Sequence, residues 1–120
     1  MRISELAART GLRVSTIRYY EKAGLCPPVA RGADGRRAFS GLDLDWFTLL
    51  ASLRETGMPL GKMQSFATLY KNGDTTVPER KAMLLAHRQR LAERKAQLER
   101  CDTLLTQKLA RYDDIMRDAT

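Results

Sequence analysis

The chain has 120 residues, with 21 Lys and Arg against 14 Asp and Glu and a formal net charge of +7. That length holds one domain, or a small domain and one long helix, and the basic excess points to a polyanionic partner. Two cysteines, Cys26 and Cys101, and one histidine, His87, exclude a zinc ligand set and a disulfide-stapled secreted fold.

No apolar run approaches a membrane span, and the N-terminal MRISELAARTG lacks the apolar core of a signal peptide. The expectation is a cytoplasmic protein with free thiols, no metal, no cofactor and no membrane partner.

In chain order, Ser4 is placed to cap a first helix through Glu5–Arg9, with Glu5 favourable to the helix dipole and Gly11 as the stop. Leu12 and Val14 fall in a tight turn. The stretch VSTIRYYEKAG, Val14–Gly24, then reads as a second helix with two unlike faces. Ile17, Tyr20 and Ala23 recur at helical spacing, while Ser15, Thr16, Arg18, Tyr19 and Lys22 fall elsewhere. Hydroxyls, cations and a phenol are the groups that meet phosphates and base edges when a helix enters a major groove. Leu6, Ala7, Leu12, Ile17 and Tyr20 form the small core of a helix-turn-helix.

Cys26-Pro27-Pro28 forbids further helix. Val29–Ser40 reads as two short strands about a turn at Gly32–Gly35, decorated by Arg31, Arg36 and Arg37 with only Asp34 to offset them. A basic hairpin after a helix-turn-helix is a wing. Ser40 caps a third helix, Leu42 to about Thr56, whose Leu42, Trp46, Leu49, Leu50 and Leu53 repeat at three and four. Pro59 opens a fourth, Leu60–Tyr70. Trp46, Phe47, Met58, Met63 and Phe66 are expected in the core.

KNGDTTV, residues 71–77, is a turn-rich break in which Thr75 or Thr76 is placed to cap the next helix. From Pro78 to about Asp114 the sequence predicts one helix, roughly 50 Å long. Leu84, Leu91, Leu98, Leu105 and Tyr112 recur every seven residues, the coiled-coil period. A helix this polar needs a partner for that row, and the simplest is the same helix of a second copy, parallel or antiparallel. His87 is expected solvated or in the seam, and Cys101, three residues past Leu98, is the candidate redox thiol. The domain division expected is 1–70, a linker 71–77, and 78–120.

These residues resemble the MerR family of transcription regulators over nearly the whole chain. The resemblance rests on ISELAARTGLRVSTIRYYEKAGLCPP at Ile3–Pro28, GRRAFS at Gly35–Ser40 and LRETGMPLGKM at Leu53–Met63. It implies a mainly α fold, a winged helix-turn-helix domain followed by a dimerisation helix in an antiparallel coiled coil. It implies a homodimer on a palindromic promoter, acting with RNA polymerase by bending and untwisting the DNA. Ser15, Thr16, Arg18 and Tyr19 match the family's DNA-facing positions and Arg37 its wing arginine. Arg36 and Phe39 stand where the family has tyrosines, and Phe39, without a hydroxyl, is expected to pack.

The short form resembles the aldehyde- or thiol-stress-responsive subgroup, although Ser52 stands where those members often have a cysteine. Two other readings remain at this stage, an architectural DNA protein without effector and a helical protein-interaction module. An enzyme is not expected, with one histidine, no phosphate-binding glycine loop and no nucleophile signature.

Overall fold

The structure, a computed structural model, describes residues 1–119 and contains five α-helices among them. Helix α1 (Ile3–Thr10) starts where the Leu6 N–H reaches the Arg2 carbonyl, 3.1 Å away. Ser4 is therefore inside the first turn, and no side chain caps the helix. The earlier start follows from the N-terminal residues being held against the wing, where the Phe39 N–H bonds the Met1 carbonyl at 2.8 Å. Gly11, at φ 75°, ends α1 with its N–H on the Ala7 carbonyl.

Helix α2 (Val14–Lys22) packs on α1, with Ile17 and Tyr20 buried as the sequence predicts. Its exit is held twice. The Leu25 N–H bonds the Tyr20 carbonyl at 2.9 Å, and the Lys71 ammonium bonds the Gly24 carbonyl at 2.9 Å.

The wing is a hairpin, but not the two strands expected. Ala38 N–H to Ala30 carbonyl and Gly32 N–H to Arg36 carbonyl, both 2.8 Å, close it around one antiparallel bridge, Arg31 with Arg37. A short two-stranded ribbon has too little pairing and too little apolar burial to extend further.

Helix α3 (Gly41–Glu55) begins with a capping box. The Ser40 hydroxyl accepts the Asp43 N–H, and the Asp43 carboxylate accepts the Ser40 N–H. Trp46, Phe47, Leu50 and Leu53 are buried, yet Leu42 is 76% exposed. A helical side chain lies over the turn before its own Cα, so a first-turn residue leans beyond the helix end and leaves the stripe. Helix α4 (Leu60–Lys71) follows Pro59 and buries Met63, Phe66 and Ala67.

The Trp46 indole is the centre of this packing. It stacks on Phe66 with centroids 5.5 Å apart, tilts against Tyr70 at 4.5 Å, and donates its N–H to the Leu25 carbonyl at 2.8 Å. Phe39 packs edge-on against Phe47, with centroids 6.1 Å apart.

The break after α4 is ordered. Gly73, at φ 91°, leads into a 3-10 turn, Asp74–Thr76. Thr76 is buried, its hydroxyl between the Leu69 and Gly73 carbonyls, so this threonine braces the turn. Arg80 reaches back to the Thr76 hydroxyl and the Gly73 carbonyl, with its guanidinium over the Tyr70 ring. Helix α5 runs Val77–Asp118. Two compact units result, Met1–Met83 and the chain from Leu84 on.

Trp46→Phe keeps a ring but leaves the buried Leu25 carbonyl without its donor. It is expected to cost about 1–3 kcal/mol in urea unfolding, with the slope of the transition unchanged.

Candidate nucleic-acid interface

Residues Ser15, Arg18, Tyr19 and Lys22 share the solvent side of α2, and Thr16 is half-buried at its edge. Tyr19 is 52% exposed and leans on Tyr20, the ring below it in the core, with centroids 6.2 Å apart. Among the described residues, Arg18, Lys22 and Arg36 enter no ion pair. Three cations are thus left to outside anions.

Beside this face the wing and the start of α1 enclose a concavity of about 450 Å³. Five arginines line it: Arg2, Arg18, Arg31, Arg36 and Arg37. Three of them, Arg2, Arg31 and Arg37, are held by local bonds. The Arg31 guanidinium donates to the Gly35 carbonyl at 2.8 Å, folding it along the wing turn. Arg37 is half-buried, and its Nε donates to Glu21 Oε2 of α2 at 2.6 Å. Arg2 makes a two-pronged pair with Asp34, whose Oδ1 also accepts the Arg36 N–H at 3.0 Å. The Arg2 guanidinium, with help from the Arg36 N–H, lowers the Asp34 pKa, and the same pairing raises that of Arg2.

The expected site residues thus separate into two groups. Ser15, Arg18, Tyr19 and Lys22 stand exposed on one helix, with Arg36 exposed on the wing. Arg31 and Arg37 line the concavity while bonded within the protein. Two members escaped the sequence reading, Arg2 and Glu21. Arg2 pairs across 32 positions, a separation that local pattern cannot show. Glu21 left a signal, a lone carboxylate between Arg18 and Lys22 on a basic helix.

On α5, Leu98, Leu105 and Tyr112 are roughly half exposed, Leu91 less so and Leu84 intermediate. Leu104, Leu109, Ile115 and Met116 are also exposed. Cys101 is exposed in the single chain. His87 is buried rather than solvated, and burial, with Arg90 nearby, lowers its pKa. Cys26 is buried next to Leu25, and desolvation, with the Glu21 charge, pushes its thiol up to about 11. Among the described residues no three His, Cys, Asp or Glu side chains stand where they could hold a metal ion, and no helix is long and apolar enough to cross a membrane.

A helix-turn-helix with an exposed polar second helix, flanked by an arginine-lined wing, defines a DNA-binding protein of the winged helix-turn-helix class. The family profile described as "MerR HTH family regulatory protein" matches residues 1–67, and that described as "MerR, DNA binding" matches residues 44–108. The chain belongs to the MerR family of DNA-binding transcription regulators, which act as dimers on promoters and are not enzymes.

The HTH-type transcriptional regulator AdhR of Bacillus subtilis is 39% identical over 93 residues, covering 78% of this chain and 66% of its own. The crystal structure of a MerR family transcriptional regulator from Listeria monocytogenes superposes with a TM-score of 0.85 at 30% identity, covering 94% of this chain and 86% of that one. The structure of HiNmlR, a MerR family regulator lacking the sensor domain and bound to promoter DNA, gives 0.84 at 35% identity, covering 94% and 90%.

With a thiol raised to about 11, Cys26 has almost no thiolate at neutral pH. In a Cys101→Ser variant, iodoacetamide labelling followed by mass spectrometry is expected to leave Cys26 unmodified at pH 7.5 in the folded protein. Denaturant should restore labelling.

Proposed function

We propose that a homodimer of this chain reads a palindromic promoter with Ser15, Thr16, Arg18, Tyr19 and Lys22 of α2 in the major groove. Arg31, Arg36 and Arg37 of the wing lie along the flanking backbone. The observation that carries this reading is the convergence of five arginines beside the exposed polar face of α2. A phosphate backbone is the polyanion that such an array fits, and the free polar groups of α2 are suited to base edges. The relative HiNmlR, similar over nearly its whole chain, is a structure bound to promoter DNA.

The two long helices pack antiparallel through Leu84, Leu91, Leu98, Leu105 and Tyr112, and the two-fold axis sets the half-site spacing. The regulator works in the cytoplasm with RNA polymerase at the promoter, and an effector makes the dimer bend and untwist the intervening DNA. Its effector belongs with aldehydes or thiol-reactive stress compounds. Of the two thiols, Cys101 is the one accessible to them in the single chain, since Cys26 is buried and its thiol raised.

Footprinting across the DNA upstream of its own gene is expected to reveal one protected palindrome. Arg18→Ala should weaken binding there by about 1–3 kcal/mol and relax selectivity at the bases it faces. Absence of a discrete protected site at low salt sinks the reading. The dimer is tested separately. Leu98→Glu with Leu105→Glu should convert the protein to a monomer by light scattering and abolish protection of the palindrome.

A further inference from the structure

We propose that Glu21 is a positioning residue for DNA recognition, holding the wing's Arg37 in the pose that meets the backbone. The proposal rests on the reading of the wing as a DNA contact.

Glu21 is an anomaly on the recognition helix. A carboxylate beside Arg18 and Lys22 repels phosphate, and electrostatics alone would remove it. Its side chain is only 16% exposed, however, and faces the wing. One oxygen, Oε2, accepts the Arg37 Nε–H at 2.6 Å. The other, Oε1, is buried and has no hydrogen-bond partner among the described residues.

The choice of Nε is informative. A guanidinium presents five N–H donors in a rigid plane. Binding it through Nε leaves the two terminal nitrogens, the pair suited to two phosphate oxygens, with no partner among the described residues. Arg37 lines the same concavity as Arg18 and Arg36. The plane of the fork is therefore set before DNA arrives, and less side-chain freedom is lost on binding. The pair also ties the wing to the recognition helix, 16 residues apart in the chain, so groove contact and backbone contact keep one geometry.

The test uses fluorescence anisotropy on a labelled duplex that the wild-type dimer itself selects from a random-sequence pool. Binding is read from about 50 to 200 mM KCl, where phosphate contacts dominate the salt slope. Arg37→Ala is expected to flatten that slope by about 0.9 for each copy in the dimer. Glu21→Gln keeps shape and an acceptor oxygen but loses the charge. It is expected to weaken binding by about fivefold, roughly 1 kcal/mol, and to flatten the slope toward that of Arg37→Ala. The double variant should bind no more weakly than Arg37→Ala alone.

Tighter or unchanged binding by Glu21→Gln, the simple consequence of losing a negative charge near DNA, overturns the proposal. So does a weakened variant with the wild-type slope, which marks a general folding defect, or a double variant in which the losses add. Circular dichroism at the assay temperature establishes that each variant is folded. Failure of the wild type to select any sequence is a different result and falls on the DNA-binding reading itself.

Discussion

The hydrogen bond from the Trp46 indole to the Leu25 carbonyl ties the exit of α2 to the α3–α4 pair, beside the direct packing of α1 on α3. Leu25 ends the helix-turn-helix, and Trp46 belongs to the α3–α4 pair. A two-helix unit of this size cannot bury enough apolar surface to stay folded. Trp46 anchors it by placing a large ring against Phe66 and Tyr70 while its one polar atom satisfies the chain at the exit of α2. Lys71, from the end of α4, holds the adjacent Gly24 carbonyl. The exit of the recognition helix is thus fixed by two residues of the supporting helices. Tyr70 extends the link to Arg80 in the first turns of α5, through a ring-to-guanidinium contact of 5.3 Å. The contacts of Arg80, Tyr70, Trp46 and Leu25 are continuous inside the first compact unit.

The charges of that unit divide by role. Those of Arg18, Lys22 and Arg36 enter no ion pair among the described residues and face solvent. Those of Arg2 and Arg37 are matched by Asp34 and Glu21. The Arg2–Asp34 pair is largely exposed, where an ion pair adds little to stability. Its geometric effect is the larger one, because Asp34 also takes the Arg36 N–H and so shapes the wing turn. The Arg37–Glu21 pair is better shielded, where removing one partner is more costly than in water. Of the arginines lining the concavity, two are held by carboxylates, Arg2 by Asp34 and Arg37 by Glu21.

Much of this was legible in the sequence, for identifiable reasons. Helices α2, α3 and α4 declare themselves through apolar spacing, Gly24, the Ser40–Asp43 cap and Pro59, all local signals. Core membership of Trp46, Phe47, Met58, Met63 and Phe66 followed from the same spacing. The features that escaped depended on distant partners. Ser4 did not cap α1, because the wing holds Met1 and shifts the helix start. Residues 71–77 looked like a linker from their turn-forming composition, whereas a buried threonine hydroxyl and a returning arginine lock them in place. Leu42 fitted the stripe by counting and left it through side-chain direction. In the site, exposed residues could be named from sequence, but Glu21 and Arg2 acquire meaning only once the wing has folded back.

The long helix turns the geometry of one domain into the geometry of two. From Leu91 to Met116 it exposes a row of large apolar side chains, and its own composition is polar and strongly charged. Such a row is stable in water only when covered. MerR regulators act as dimers on promoters, and a two-fold assembly presents two identical recognition helices to a palindrome. In the proposed assembly, half-site spacing depends on which leucines pair across the axis, far along the chain from the exposed polar face of α2. The polar face of α2 at Ser15–Lys22 can be kept intact while the separation of its two copies is altered. In the proposed assembly, changing operator spacing and changing operator sequence are therefore separable operations.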